Sequence, residues 1–508
     1  MAPQLNISYR DQPDFATIIL LIMKRFSVIP LCLFFVIQLW GQEQLGWRLE
    51  RYAGISGIRL NPASYAASPL RWDVQLFGGG IFFGNNYAFA EKSNLRDLLS
   101  VANQDDLVAR PLLEADDVVR PDQIVIDFYD DRRNRFAFAN AAIEGPSFFV
   151  RLNDRHALGL MTAFRLVASG FGVENELSYY PWFNRAEFDP FPVKDFHSGA
   201  AGFTEVGLNY VFTTYTANGR LGLGFTAKHL AGYEGAYFDS RSTMSVSKLP
   251  ENSVSGISPN LAFGFTENAY QNEEWNPKVS GTGFGIDLGM VYTLDEDGEN
   301  YLCQFGLSVL DIGRIKFNKG AQEHLAKAEG ERVLSWQDYR KFESVEEFDQ
   351  IVRTFSRQIL GDSLASFQAN SFELKLPTRL ALQADVKVNE LFYVNGMLVQ
   401  PAPFKEAAIT RGSMLAVTPR FEHRWGSLSL PVSLYNWQQV RIGLAARLGF
   451  IVIGTDKIGG TLTRSKFNGA DFYFAVKVPP FPGESKGNSG GRSRKIGKRG
   501  KDIPCYRF

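Results

Sequence analysis

Apolar and polar residues alternate with period two in stretch after stretch of this chain. Over 282–293, Phe284, Ile286, Leu288, Met290 and Tyr292 occupy one face, while Gly283, Gly285, Asp287 and Gly289 occupy the other. A strand sends successive side chains to opposite faces. The pattern predicts fourteen strands: 71–90, 136–152, 156–170, 202–215, 219–238, 281–295, 300–317, 372–388, 390–400, 412–424, 427–435, 439–449, 450–456 and 469–478. Short turns at Asn153-Asp154-Arg155, Ala217-Asn218-Gly219, Asp295–Asn300 and Asn389 carry turn-forming residues. They alternate with long gaps at 91–135, 171–201, 239–280 and 318–371. Tight turns at one end and long loops at the other mark a closed outer-membrane barrel, whereas a soluble sandwich lacks that alternation. The expected fold class is all-β. It is a transmembrane antiparallel β-barrel of about 14 strands, with an N-terminal plug segment, long extracellular loops and both termini periplasmic.

The remaining segments fit around that barrel. Gly54–Ala67 is rich in small residues and too apolar for a free linker. Asn61, Pro62 and Ala63 are its turn, and a position inside the lumen would accommodate it. In the longest gap, Val345, Phe348, Ile351, Val352, Phe355 and Ile359 recur at helical spacing. Ser344 and Glu347 form a capping box, and Gly361 is the stop. The apolar stripe of that helix is expected on the barrel mouth or another loop. Read from Met23, the chain opens with Lys24-Arg25, an apolar run to Trp40 and a cleavage candidate at Gly41–Gln42. That is a signal peptide behind an over-extended start, with a membrane anchor as the alternative. The last residues are basic and rich in Gly and Ser, and read as a solvated tail or as a contact for an acidic periplasmic partner. The organisation is thus 1–41 start and signal, 42–70 plug, 71–480 barrel and 481–508 tail.

Composition narrows the function. The 54 Lys and Arg balance the 54 Asp and Glu, so no field points to nucleic acid. A mean hydropathy of −0.14 is too polar for a bundle of membrane helices, but not for a barrel, where only alternate residues meet lipid. The five histidines lack metal-ligand spacing, and no nucleophile elbow or phosphate loop is present. No enzymatic activity and no cofactor are implied. Of the three cysteines, Cys303 shares a predicted face with Tyr301, Phe305 and Leu307, as a small apolar residue. The polar faces place Arg151, Arg165, Glu205, Arg220, Lys228, Asp287, Lys375, Arg379, Asp385, Arg420, Glu422, Arg441, Arg447, Asp471 and Lys477 in the lumen. They form either a structural ladder of ion pairs or a polar conduit for an anionic group. By the same register Leu223 and Phe225 meet lipid, so Phe225→Arg is expected to impair assembly and Lys228→Ala to be milder.

Several segments carry a resemblance when taken in order. They are Ser56–Ala63, Glu144–Phe148, Thr204–Leu208, Lys228–Gly232, Gly283–Tyr292, Ser308–Gly313, Leu376–Thr378, Leu430–Val432 and Gly469–Phe474. Together they resemble a family of uncharacterised outer-membrane barrels from Bacteroidota, over about residues 42–480. That family is similar to the fatty-acid-transporter-type (FadL-like) barrels, with fourteen strands and an Asn-Pro-Ala plug element, and to barrels associated with type IX secretion. The resemblance implies an outer-membrane protein that passes or binds a small hydrophobic or amphipathic solute. The alternative it implies is a non-transporting scaffold for a secretion or surface assembly, with periplasmic or secretion-complex partners. It carries over no catalytic or ligand residues.

Overall fold

The computed structural model describes residues 43–100, 107–112, 120, 123–267, 270–271, 274–275, 277–295, 301–339, 348–404, 406–459 and 463–478. The start, the signal segment, the cleavage candidate, the capping box at 344–347, the turn at 296–300, Cys32, Cys505 and the tail from 479 lie outside these residues.

Fourteen antiparallel strands close into a barrel. They are β1 (Trp72–Asn85), β2 (Arg135–Glu144 and Ser147–Arg151), β3 (His156–Val173), β4 (Phe196–Thr216), β5 (Gly219–Ser240), β6 (Gly281–Asp295) and β7 (Tyr301–Phe317). The second half is β8 (Phe372–Lys375 and Arg379–Lys387), β9 (Phe392–Pro401), β10 (Met414–His423), β11 (Gly426–Ser429 and Val432–Tyr435), β12 (Gln439–Ile442 and Leu444–Leu448), β13 (Ile451–Thr455) and β14 (Gly469–Val478). Each strand pairs with its sequence neighbours. The seam is closed by β1 on β14, from Val74 opposite Val478 to Gly84 opposite Gly469. Closure leaves no unpaired sheet edge.

Long connections gather at one end of the barrel, short turns at the other. At the loop end β5 outgrows the barrel and pairs through Ala236–Ser240 with a strand at Asn260–Thr266. That strand carries Ala321–Lys327 beside it. The helix Phe348–Leu360 lies on this extension, with Val352 against Phe263 and Phe265, and Ile359 against Leu261 and Ala326. Gly361 ends the helix at φ 81, where a residue without Cβ is favoured.

Period two governs both faces. Outward positions such as Leu208 (64% exposed), Leu223, Phe225, Phe284 and Leu382 are apolar and open. Inward positions are glycines, small residues and buried charges, with large apolar side chains such as Phe82, Phe149, Phe203 and Leu230 among them. Two sequence expectations fail here, each at a break in the ladder. Tyr301 points inward and is buried, away from Phe305 and Leu307, because the β6–β7 register slips between Leu294 and Asp295. Lys375 points outward beside Arg314, because Leu376-Pro377-Thr378 interrupts β8 and reverses its parity.

Candidate functional site

The N-terminal segment packs against inward-facing residues of the strands. Residues 43–68 fold as the short helix Leu45–Arg48 and two 3-10 turns, Gly54–Arg59 and Ser64–Ala66. Nearly all of their side chains are buried. Asn61 Nδ2 donates to the Met290 carbonyl (3.0 Å), and its Oδ1 accepts from the Ala63 amide (2.9 Å). Asn209 of β4 donates to the Pro62 carbonyl (3.2 Å), and Ser308 of β7 to the Leu60 carbonyl (2.7 Å). A side chain at Gly224 would collide with the Pro62–Ala63 backbone, and one at Gly289 with Asn61. Glycine on the wall is what allows the Asn-Pro-Ala turn to lie flat against β5 and β6.

Charge fixes the rest of the segment. On one side the Asp311 carboxylate of β7 is the hub. It accepts from Arg165 of β3 (2.9 Å), Lys228 of β5 (2.8 Å) and Arg379 of β8 (2.6 Å). Lys228 also meets Asp287 of β6 (2.7 Å), and Arg165 meets Glu205 of β4 (3.2 Å). The N-terminal segment enters through Arg59, which reaches Glu205 (2.7 Å) and Glu144 (3.0 Å), and through Arg48, which also pairs with Glu144. From the loop end, residues 407–413 dip inward, burying Ile409 and pairing Arg411 with Glu43 (3.0 Å).

A second cluster sits between β7, β8 and β10. Arg420 donates to both Asp385 oxygens (2.9 and 2.5 Å) and pairs with Glu422, while the Tyr301 hydroxyl donates to Asp385 (2.5 Å). Arg51 of the N-terminal segment reaches the Tyr393 hydroxyl (3.0 Å) and gives its amide to Glu422 (3.3 Å).

All twelve of the charged residues Arg165, Glu205, Arg220, Lys228, Asp287, Arg379, Asp385, Arg420, Glu422, Arg441, Arg447 and Asp471 are buried. Five of them join the Asp311 cluster and three the Arg420 cluster. The other four stand apart. Arg447 pairs with Glu50 (2.8 Å), Arg441 stacks 3.7 Å from the Tyr435 ring, Arg220 donates to Thr293 (3.1 Å), and Asp471 accepts the Asp456 amide (3.0 Å). Lys228→Ala is no longer a mild change, since it would leave Asp287 and Asp311 facing each other without their shared cation. Asp311 and Glu144 escaped the sequence reading. Asp311 has φ 57, which Asp tolerates better than most residues, and forms a bulge with Leu310 that turns both inward. Glu144 precedes Gly145-Pro146, which splits β2 and reverses its parity. The readable signal was the break-forming residues themselves. Among the described residues no group of His, Cys, Asp and Glu is arranged to hold a metal ion.

The outer wall carries a different feature near the loop end. One cross-strand row runs Phe83, Ala139, Ala168, Ala200, Ala236, Phe265 from β1 through β5 to the extension strand. Four alanines in line leave a trough of about 460 Å³ between flanking phenylalanines. Phe348 of the loop helix meets Phe265 edge-on at 4.7 Å and adds a side wall. The two polar cavities beside the N-terminal segment are far smaller, about 30 Å³ each.

Residues 62–456 match the Family of unknown function DUF5723. The chain belongs to this family. No curated protein matches it. Among solved structures it is similar to the P. putida toluene transporter TodX, at 10% identity and a TM-score of 0.33, over 84% of this chain and 92% of that one. It is also similar to the CymD monoaromatic hydrocarbon channel (8%, TM-score 0.28, 84% and 92%) and to a Pseudomonas aeruginosa FadL homologue (9%, TM-score 0.23, 83% and 91%). The barrel architecture of this DUF5723 member stands on its own strand register.

Proposed function

We propose that this DUF5723 protein is an outer-membrane barrel that takes up a small hydrophobic or amphipathic solute, with residues 42–70 acting as its plug. The membrane part rests on the two faces. Apolar side chains cover the outside of the strands and buried charges line the inside, as lipid outside and a polar lumen require. An apolar belt of this extent is far larger than the patches soluble monomers expose.

The solute part rests on one observation, the alanine-floored trough. It is apolar, bounded by aromatic rings, and lies on the rim where membrane-borne molecules meet the loops. An uncharged, flat or chain-like molecule fits its lining, because burying an unpaired charge there would be costly. The two cavities beside the N-terminal segment are small and polar, so on this reading passage requires that segment to move.

Two measurements test the reading. Ala168→Trp fills the trough from an outward position, and should abolish binding of a fluorescent naphthylamine probe while the barrel still folds. Unchanged probe binding would remove the trough from the function. In a planar bilayer, the intact protein should be closed and the protein lacking residues 42–67 should conduct. Large steady conductance of the intact protein would refute the plug. A folded barrel closed in both forms would favour the scaffold.

A further inference from the structure

We propose that the joint between the N-terminal segment, the barrel wall and the 407–413 loop is a binding site for a small monovalent anion of halide size. The cavity of about 30 Å³ lies where these three parts meet. Its cations come from all three: Arg48 and Arg59 from the segment, Arg165, Lys228 and Arg379 from the wall, and Arg411 from the loop. Only three carboxylates line it, those of Glu144, Asp287 and Asp311. Glu43 and Glu205 stand behind and bring the whole cluster to six cations and five carboxylates. The excess is positive by either count.

Buried charge without a counter-charge is unfavourable, and these arginines cannot shed their protons. The orphaned arginine donors carry the same sign, while Asn140 Oδ1 and, behind it, Glu43 Oε2 are buried acceptors without a donor among the described residues. Arg48 Nε and Arg379 Nε are buried N–H donors without an acceptor among the described residues, and both side chains line the cavity. Arg48 and Arg379 are each more than nine-tenths buried. Asn140 also lines the space, and its amide can turn to present N–H to an anion. The volume admits about two waters, so a halide ion fits and a carboxylate-bearing molecule does not. An anion there would satisfy donors from parts of the chain hundreds of residues apart and act as their common counter-ion. This site does not rest on the solute reading, since its cavity shares no lining residue with the outer trough.

The test uses the full-length protein in detergent micelles at constant ionic strength, with sodium chloride, sodium bromide or sodium gluconate. Protease cleavage within 43–68 is followed together with the heat-induced gel shift of the barrel. At ten times its dissociation constant, a bound halide should lower the released fraction of the segment about tenfold relative to gluconate. Crystals grown in bromide should show anomalous density in the cavity. Arg411→Gln removes one lining cation and should weaken the halide effect. Asn140→Asp supplies an internal negative charge and should protect the segment in gluconate as halide does in the parent. Equal cleavage in all three salts, with water alone in the cavity, would overturn the proposal. So would a halide effect that both variants retain in full, because the site would then lie elsewhere.

Discussion

The Asp311 and Arg420 clusters share one lumen but are built on different principles. The Arg420 cluster ties together side chains of β7, β8 and β10, close neighbours in the wall, and meets the N-terminal segment through Arg51. The Asp311 cluster gathers cations from β3, β5 and β8 on one carboxylate, and through Arg59, Arg48 and Glu43 it also holds the segment. The first needs one slip, between Leu294 and Asp295, which turns Tyr301 inward. The second needs a broken wall. The bulge at Asp311 lies opposite the break at Leu376-Pro377-Thr378, and the Thr378 hydroxyl closes the gap onto the Asp311 carbonyl (2.8 Å). An irregular ladder aims one side chain across the lumen where a regular one links only its neighbours.

The largest effect should come from the hub. Asp311→Ala leaves three buried cations short of a partner, a class of change that costs about 3–5 kcal/mol. The heat-induced gel shift should fall steeply, and residues 43–68 should become open to protease. If the barrel melted earlier but the segment stayed protected, the hub would be a wall element only, and the contrast with Arg420 would fail.

Next comes the register on which both clusters depend. Phe225 faces outward at 40% exposure, and Phe225→Arg should cost about 2–4 kcal/mol near the midplane. Folding into lipid vesicles, titrated with urea, measures it. Normal folding would shift the assigned face by one residue and dissolve both clusters.

Tyr301→Phe sharpens the comparison from the other side. Asp385 keeps both bonds from Arg420, so losing the Tyr301 hydroxyl should cost about 1 kcal/mol and leave the segment protected. A loss as large as that of Asp311→Ala would make the two clusters equivalent.

The smallest effect lies outside the barrel, where Arg110 bonds Glu91 and Arg464 bonds Asp97 at the loop end. These partners hold both carboxyls below the ordinary range. A depressed carboxyl adds stability above its unfolded pKa and loses it as pH falls through the folded one. Hydrogen exchange in 88–93 and 465–467 should therefore quicken only below about pH 4, with both inner clusters unchanged.

These contrasts also mark how far the sequence could be read. Strand number and order followed from alternation, because a half-buried strand cannot hide its period. The inward placement of Arg165, Lys228, Asp385 and Arg420 followed by parity alone. Parity failed at Tyr301, Lys375, Asp311 and Glu144, each beside a slip or a Pro or Gly break, since one extra residue reverses every face beyond it. The alanine trough was missed for another reason. It is a row across strands, and the small residues of one strand, such as Ser198-Gly199-Ala200-Ala201-Gly202, do not tell which residues of the next strand stand beside them.

The N-terminal segment meets the last strands. The Gly46 amide donates to the Tyr473 hydroxyl, 427 positions away, and the Leu45 amide to Asp456, 411 positions away. Contacts of such span form late, because the loop they close must be ordered first. The segment synthesised first therefore has no complete seat until β14 has joined β1. During assembly it must wait beside an open sheet, so its seat is a product of finishing the barrel and not a template for starting it.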